Sequence, residues 1–162
     1  MAHQRTNNAT RALVDHSDGP FATGAFKLVW RGIYTEGDRA GERCVVKEFK
    51  TGSVYEGHYF NEEMNIIART QKVIDDWHAA NVINRKILLN TPEIWTYKES
   101  KHKALVEPFI ANYEKWNSNS GWTPANSNIW VEVMQALSHF SYHNSGGQFL
   151  LCDLQGGSYS DG

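Results

Sequence analysis

Alternation of apolar and polar positions first takes hold near Phe26. "FKLVWRGIY" and "RCVVKEF" are strand-like runs joined by the polar "TEGDRAGE", a pattern that predicts a hairpin. "KTGSVYEG" reads as a loop. From about Tyr59 to Asn81 the period lengthens, with Phe60, Met64, Ile67, Ile74 and Trp77 at steps near three and four, which predicts a helix packed on the hairpin. "RKILLN", "EIWTY" and "KALVEPFI" return to strand-like segments, with Pro92 and Pro108 as boundaries. The stretch from Asn112 to Asn128 is rich in Asn, Ser, Trp and Gly and reads as a loop. A second helix is expected from about Ala125 to Tyr142, burying Ile129, Val133, Met134, Leu137 and Phe140; "HNSGG" stops it, and "QFLLC" reads as a last strand that carries Asp153 at its end. Residues 1–20 lack either period and read as a polar arm.

Composition narrows this α+β reading. The chain has 162 residues, 41% of them hydrophobic, and six Trp, which is one domain's length and the make-up of a packed protein. Sixteen Lys and Arg oppose 18 Asp and Glu. That balance gives no broad positive field for nucleic acid or anionic lipid. Cys44 and Cys152 are the two cysteines, too few for a four-cysteine zinc site and in keeping with a reducing compartment. With no signal-like leader and no run of 18 apolar residues, the expectation is a soluble cytoplasmic protein.

Several residues stand out chemically. Gly19, Gly24 and Gly32 surround the start of the hairpin, where backbone N–H groups can close around phosphates, although glycines are common in turns. Lys47 lies within an apolar strand on the face opposite Val46. It is ordinary if that face is open to solvent, and a ligand for triphosphate oxygens if the face lines a cleft. Glu62 and Glu63 can pair with Lys47 or simply cap and solvate the helix. Glu107 interrupts an oily segment before Pro108, as an edge strand or as a hinge with free backbone groups. His139 lies near a helix end, where most histidines are structural; zinc would require three companions. In "LLCDLQGG", Asp153 and Gln155 can offer a carboxylate and an amide oxygen to one small volume, suited to orienting a hydroxyl and binding Mg²⁺, or the segment is a plain turn.

In combination these parts follow a specific order: glycine hairpin, "VVKEF", a helix with "EE", "LVEPFI", "ANYEKWNSNSGW", "ALSHFSYHNSGG" and "LLCDLQGG". From about Phe21 to Gly157 the chain resembles the atypical alpha-type protein kinases. The resemblance implies a two-lobed, protein-kinase-like fold with an incomplete C-terminal lobe: residues 21–106 as the N-terminal lobe and 107–162 as the hinge and partial C-terminal lobe. It also implies ATP-dependent transfer of a phosphoryl group to Ser or Thr of a protein substrate. Gly24, Ala25 and Phe26 would form the phosphate loop, Lys47 would bind ATP phosphates steadied by Glu62 or Glu63, and Glu107 would meet adenine. Asp153 would be the catalytic carboxylate and Gln155 a Mg²⁺ ligand. His139 matches the family's first zinc ligand, but the later His and Cys ligands are absent, so zinc is not expected here. Asp161 falls short of the family's second metal-binding aspartate. The alternative is a kinase-like remnant that binds nucleotide or protein without transfer.

Overall fold

The computed structural model describes residues 3–50 and 56–160. In chain order the elements are β1 (Gln4–Arg5), β2 (Ala9–Asp15), β3 (Ala22–Thr23), β4 (Lys27–Gly37), β5 (Arg43–Phe49), α1 (Glu56–Ala79), β6 (Leu89–Asn90), β7 (Glu93–Thr96), β8 (Lys103–Pro108), β9 (Glu114–Lys115), α2 (Ile129–Asn144) and β10 (Gln155–Gly156). They fall into two compact units, one of Met1–Gln71 with Lys86–Phe109 and one of Lys72–Arg85 with Ile110–Gly162. The chain of α1 contributes to both.

The first unit is a curled antiparallel sheet in the order β2-β4-β5-β8-β7, with β3 also on β4. Register follows from alternation. Val46 faces Trp30 and Val106 across the ladder, placing it on one side of the sheet with Tyr34, Cys44 and Ala104 as a buried cluster. Gly32 lies in this ladder because any side chain would collide: a Cβ there would come within 2.8 Å of both Cys44 Sγ and the Leu13 carbonyl oxygen. The opposite side carries Val45, Lys47 and Phe49. Against Phe49 the first turns of α1 bring Phe60, whose ring meets it edge-on at 5.0 Å.

The N-terminal residues correct the expectation of an arm. Residues 9–15 form the edge strand β2, and β1 pairs in parallel with β6. Asn7 is completely buried; its Nδ2 donates to the Val106 carbonyl at 2.8 Å, and its Oδ1 accepts from the Tyr34 hydroxyl. A polar segment is thus held by side-chain hydrogen bonds that leave no trace in hydrophobic periodicity.

In the second unit α2 begins later than expected, because Asn128 caps it: Oδ1 accepts from the N–H groups of Trp130 and Val131 at 2.9 and 3.0 Å. Val133, Met134 and Leu137 are buried as expected, whereas Ile129 is exposed. Phe140 packs edge-on to the buried Trp77 at 5.3 Å. "QFLLC" forms no strand. Its backbone is satisfied by hydroxyls of α2 and its cap instead, Leu151 N–H donating to Ser141 Oγ at 2.8 Å and Phe149 N–H to Ser145 Oγ at 3.2 Å. Among the described residues no helix is long and apolar enough to cross a membrane.

Candidate active site

One group of expected site residues lies in the first unit. Lys47 emerges from the middle of β5, where its ladder partner is Leu105, while Val45 opposes Glu107. Lys47 and Glu107 are therefore diagonal neighbours on one face. Their side chains meet, Lys47 Nζ standing 2.6 Å from Glu107 Oε1 with the carboxylate mostly buried. The expected pairing of Lys47 with a helix glutamate is not the one formed. Glu63 is taken by Lys27 in an ion pair, and Glu62 turns outward to His58 at 2.9 Å. The reason is geometric: Lys27 opposes Phe49 at the end of the ladder, where α1 packs, whereas Lys47 is one inward-facing step further from it.

Lys27 is a further candidate, one that the hydrophobic pattern did not single out. Its alternation places it on the same face as Lys47, and it directly follows the glycine turn. That turn links β3 to β4, with Gly24 N–H donating to the Lys27 carbonyl at 2.9 Å. Gly24, Ala25 and Phe26 are exposed at its tip, and the Phe26 carbonyl accepts from Lys50 N–H at 2.9 Å. An exposed turn beside two lysines of one sheet face has the charge and backbone freedom to receive phosphates. The only available signal was positional, a lysine two residues beyond "GA".

The second group lies in the second unit, in irregular backbone. Asp153 adopts φ 57, a left-handed conformation uncommon outside glycine. Its Oδ1 stands 3.1 Å from Lys115 Nζ and accepts from the Asn119 N–H at 3.4 Å. The following residue is clamped: Leu154 N–H donates to Asn117 Oδ1 at 2.9 Å, and its carbonyl accepts from Trp116 N–H at 2.9 Å. Asn117 is buried and anchored to α2, its Nδ2 donating to Gln135 Oε1 at 3.1 Å and Ser138 Oγ at 3.0 Å. Gln155 opposes Lys115 in the β9–β10 ladder. The carboxylate, the amide and Lys115 thus share one edge. Lys115 and Asn117 were also passed over; "EKWNSN" hid them among other polar loop residues.

His139 lies far along α2 and meets His143, Nε2 to Nε2, at 2.9 Å. Among the described residues no group of three or more His, Cys, Asp or Glu side chains is placed to hold a metal ion. Two imidazoles do not fit zinc's four-ligand requirement. Mg²⁺ is less demanding, since it commonly takes one or two protein oxygens and completes its shell with water and phosphate. Gln155 fits that partial role. Asp161 lies outside the described residues.

With that geometry in hand, the relatives are informative. Residues 22–161 match the model of the Alpha-kinase family. The chain belongs to that family. It is 28% identical over 151 residues to myosin heavy chain kinase B of Dictyostelium discoideum, covering 91% of this chain and 20% of the relative. It is 27% identical over 151 residues to alpha-protein kinase vwkA of the same organism, covering 88% of this chain and 23% of the relative. The chain therefore spans about a fifth of the length of these relatives. Among solved structures, the apoenzyme alpha-kinase domain of myosin-II heavy chain kinase A superposes with a TM-score of 0.66 at 19% identity, covering 93% of this chain and 72% of that one. A D766A form of the same kinase, in complex with ATP, gives a TM-score of 0.63 at 20% identity, covering 90% and 70%. These likenesses establish the alpha-kinase fold.

Proposed function

We propose that this chain binds Mg·ATP and transfers the γ-phosphoryl group to a Ser or Thr hydroxyl of a protein. The observation that carries the reading is Asp153, held in a left-handed conformation with its carboxylate fixed by Lys115 and the Asn119 N–H. Strained backbone around a positioned acid is characteristic of functional sites.

In this reading Lys47 and Lys27 exchange their carboxylate partners for phosphate oxygens, and the N–H groups of the Gly24–Phe26 turn add neutral donors. Glu107, near the end of β8, would offer backbone groups to the adenine, and its side chain pairs with Lys47 in the absence of nucleotide. Glu63 does the same for Lys27 in the absence of nucleotide. Asp153 accepts a hydrogen bond from the substrate hydroxyl and aligns its oxygen for attack, and Lys115 neutralises charge beside the transferred group. Gln155 would hold Mg²⁺, which when bound screens the phosphate charges. As the hydroxyl oxygen bonds to the γ-phosphorus, the bond to the β-phosphate bridging oxygen breaks, and the hydroxyl proton passes to Asp153.

The test is transfer of a labelled γ-phosphoryl group from Mg·ATP to a Ser/Thr protein substrate, with Asp153→Ala beside the wild type and ATP affinity measured for both by calorimetry. Transfer lost on substitution, with affinity retained, supports the reading. Wild-type binding without transfer would instead identify a nucleotide-binding remnant, and absence of both would leave a protein-binding role.

A further inference from the structure

β2 forms one edge of the six-stranded sheet, and among the described residues no strand pairs along its outer side. Irregular register is confined to Ala9–Ala12; beyond it the ladder is regular. From Arg11 to Asp15 the side chains alternate between exposed and half-buried. Ala12 and Val14 pack on the buried cluster. Leu13 points the other way, 68% exposed, beside its ladder partner Ile33 at 52%. A cavity of about 780 Å³ runs along the inner side of this edge, lined by Thr10 to Val14 and by Trp95 and Tyr97 from the far side of the sheet. Soluble proteins usually guard an apolar edge with lysine, proline or a covering loop. In β2 the irregular register and the charges of Arg11 and Asp15 lie towards the ends, and the Ala12–Val14 stretch between those charges has no charge or proline of its own.

We propose that β2 pairs antiparallel with β2 of a second copy of this chain, about a two-fold axis through Leu13. The strand is chemically self-complementary in that register. Arg11 stands opposite Asp15 of the other copy, Ala12 opposite Val14, and Leu13 opposite itself. Both ends of the contact therefore carry opposite charges, and its centre is apolar. Centring the axis on Ala12 or Val14 instead would place Leu13 opposite Arg11 or Asp15. The charge pattern thus selects one register. Leu13 and Ile33 from both copies would form an apolar stripe across four adjacent strands, while Ala12 and Val14 of the second copy would meet the mouth of the cavity.

The two charges are available for this. Arg11 Nη1 rests 2.8 Å from Glu36, but both side chains are at least half exposed, and such pairs exchange partners at little cost. Asp15 accepts from Ser17 through Oδ1, and among the described residues Oδ2 has no hydrogen bond, leaving it for a guanidinium.

Sedimentation equilibrium on the full 162-residue chain, from micromolar to hundreds of micromolar, tests the proposal. A reversible dimer is expected. Arg11→Asp and Asp15→Arg should each raise its dissociation constant by about tenfold or more, because two attractive contacts per dimer become repulsive. The double variant should recover most of the wild-type affinity. Leu13→Glu, at an exposed position, should be monomeric with an unchanged circular dichroism spectrum and melting temperature. A wild type that stays monomeric throughout would overturn the proposal. So would a dimer that tolerates Leu13→Glu, or charge reversals that the double variant does not rescue.

Discussion

The two groups of candidate residues, one in each unit, solve opposite electrostatic problems by different means. In the first unit two lysines are held by carboxylates, Lys47 by Glu107 and Lys27 by Glu63, and all but Glu63 project from a regular ladder. In the second unit a carboxylate is held by a lysine, and both come from segments with hardly any ladder, the two-residue strands β9 and β10 and the left-handed turn at Asp153. Strand pairing suffices to aim a long flexible cation at a polyanion. A short carboxylate that must meet one hydroxyl needs its backbone fixed, and here side-chain clamps such as Asn117 do so.

The largest test of this contrast lies at Asp153. Its replacement by Ala should lower the transfer rate by about 10²–10⁴-fold, the range for a positioned proton acceptor, while leaving ATP affinity within about twofold. Steady-state phosphorylation beside calorimetry measures both.

Next is Asn117→Ala. It leaves the Leu154 N–H without its acceptor and removes two bonds to α2, so unfolding free energy should fall by about 2–3 kcal/mol, read from urea denaturation, with transfer declining as Asp153 loses its support. If stability falls but transfer per folded molecule does not, the clamp is structural only.

Lys47→Met should weaken ATP binding by roughly 10- to 100-fold through loss of a charged hydrogen bond, and should also lower the melting temperature, because it leaves the mostly buried Glu107 carboxylate without its cation. A variant that binds ATP as well as the wild type would remove Lys47 from the site and leave Lys27 as its cation.

The smallest effect concerns the buried cluster behind the ladder. Burial pushes the Cys44 thiol up to about 11 from its ordinary value of 9.0. The folded state therefore keeps a proton that the unfolded chain releases, so stability is full below pH 9 and declines as pH rises toward 11. Burial drives the Tyr34 and Tyr97 phenols upward too, in the same direction. Urea midpoints at rising pH check the decline. At pH 8 a thiol reagent should label the partly exposed Cys152 well before the buried Cys44.

Much of the ladder could be read from the amino-acid pattern. Lys47 stands opposite in face to Val46 because strands have a period of two, and the glycine hairpin, both helices and the strand ending at Pro108 follow from periodicity and breakers. Its ion-pair partner could not be read this way, because diagonal contact between β5 and β8 depends on a register set by residues sixty positions apart. The second unit's site was legible as a motif rather than as a shape. "DLQGG" identified Asp153 and Gln155, yet the strand expected to deliver them does not exist. Hydroxyls of Ser141 and Ser145 take over the hydrogen bonds that a ladder would have supplied, and nothing in hydrophobic patterning announces that substitution. The residues at 4–15 were missed for a related reason: β1 is too short to display a period, and Asn7 is buried through its amide.

Asn7 also has a bearing on how the protein is made. Its acceptor belongs to Val106, 99 residues further along, and β1 waits for Leu89 and Asn90. Until that later stretch has left the ribosome, Gln4, Arg5 and Asn7 have no partner for these contacts, whereas β2 can pair with β4 as soon as that strand is made. Slow translation before Val106 would prolong the interval in which Gln4 to Asn7 lack these partners, while "TRALV" already has its own in β4.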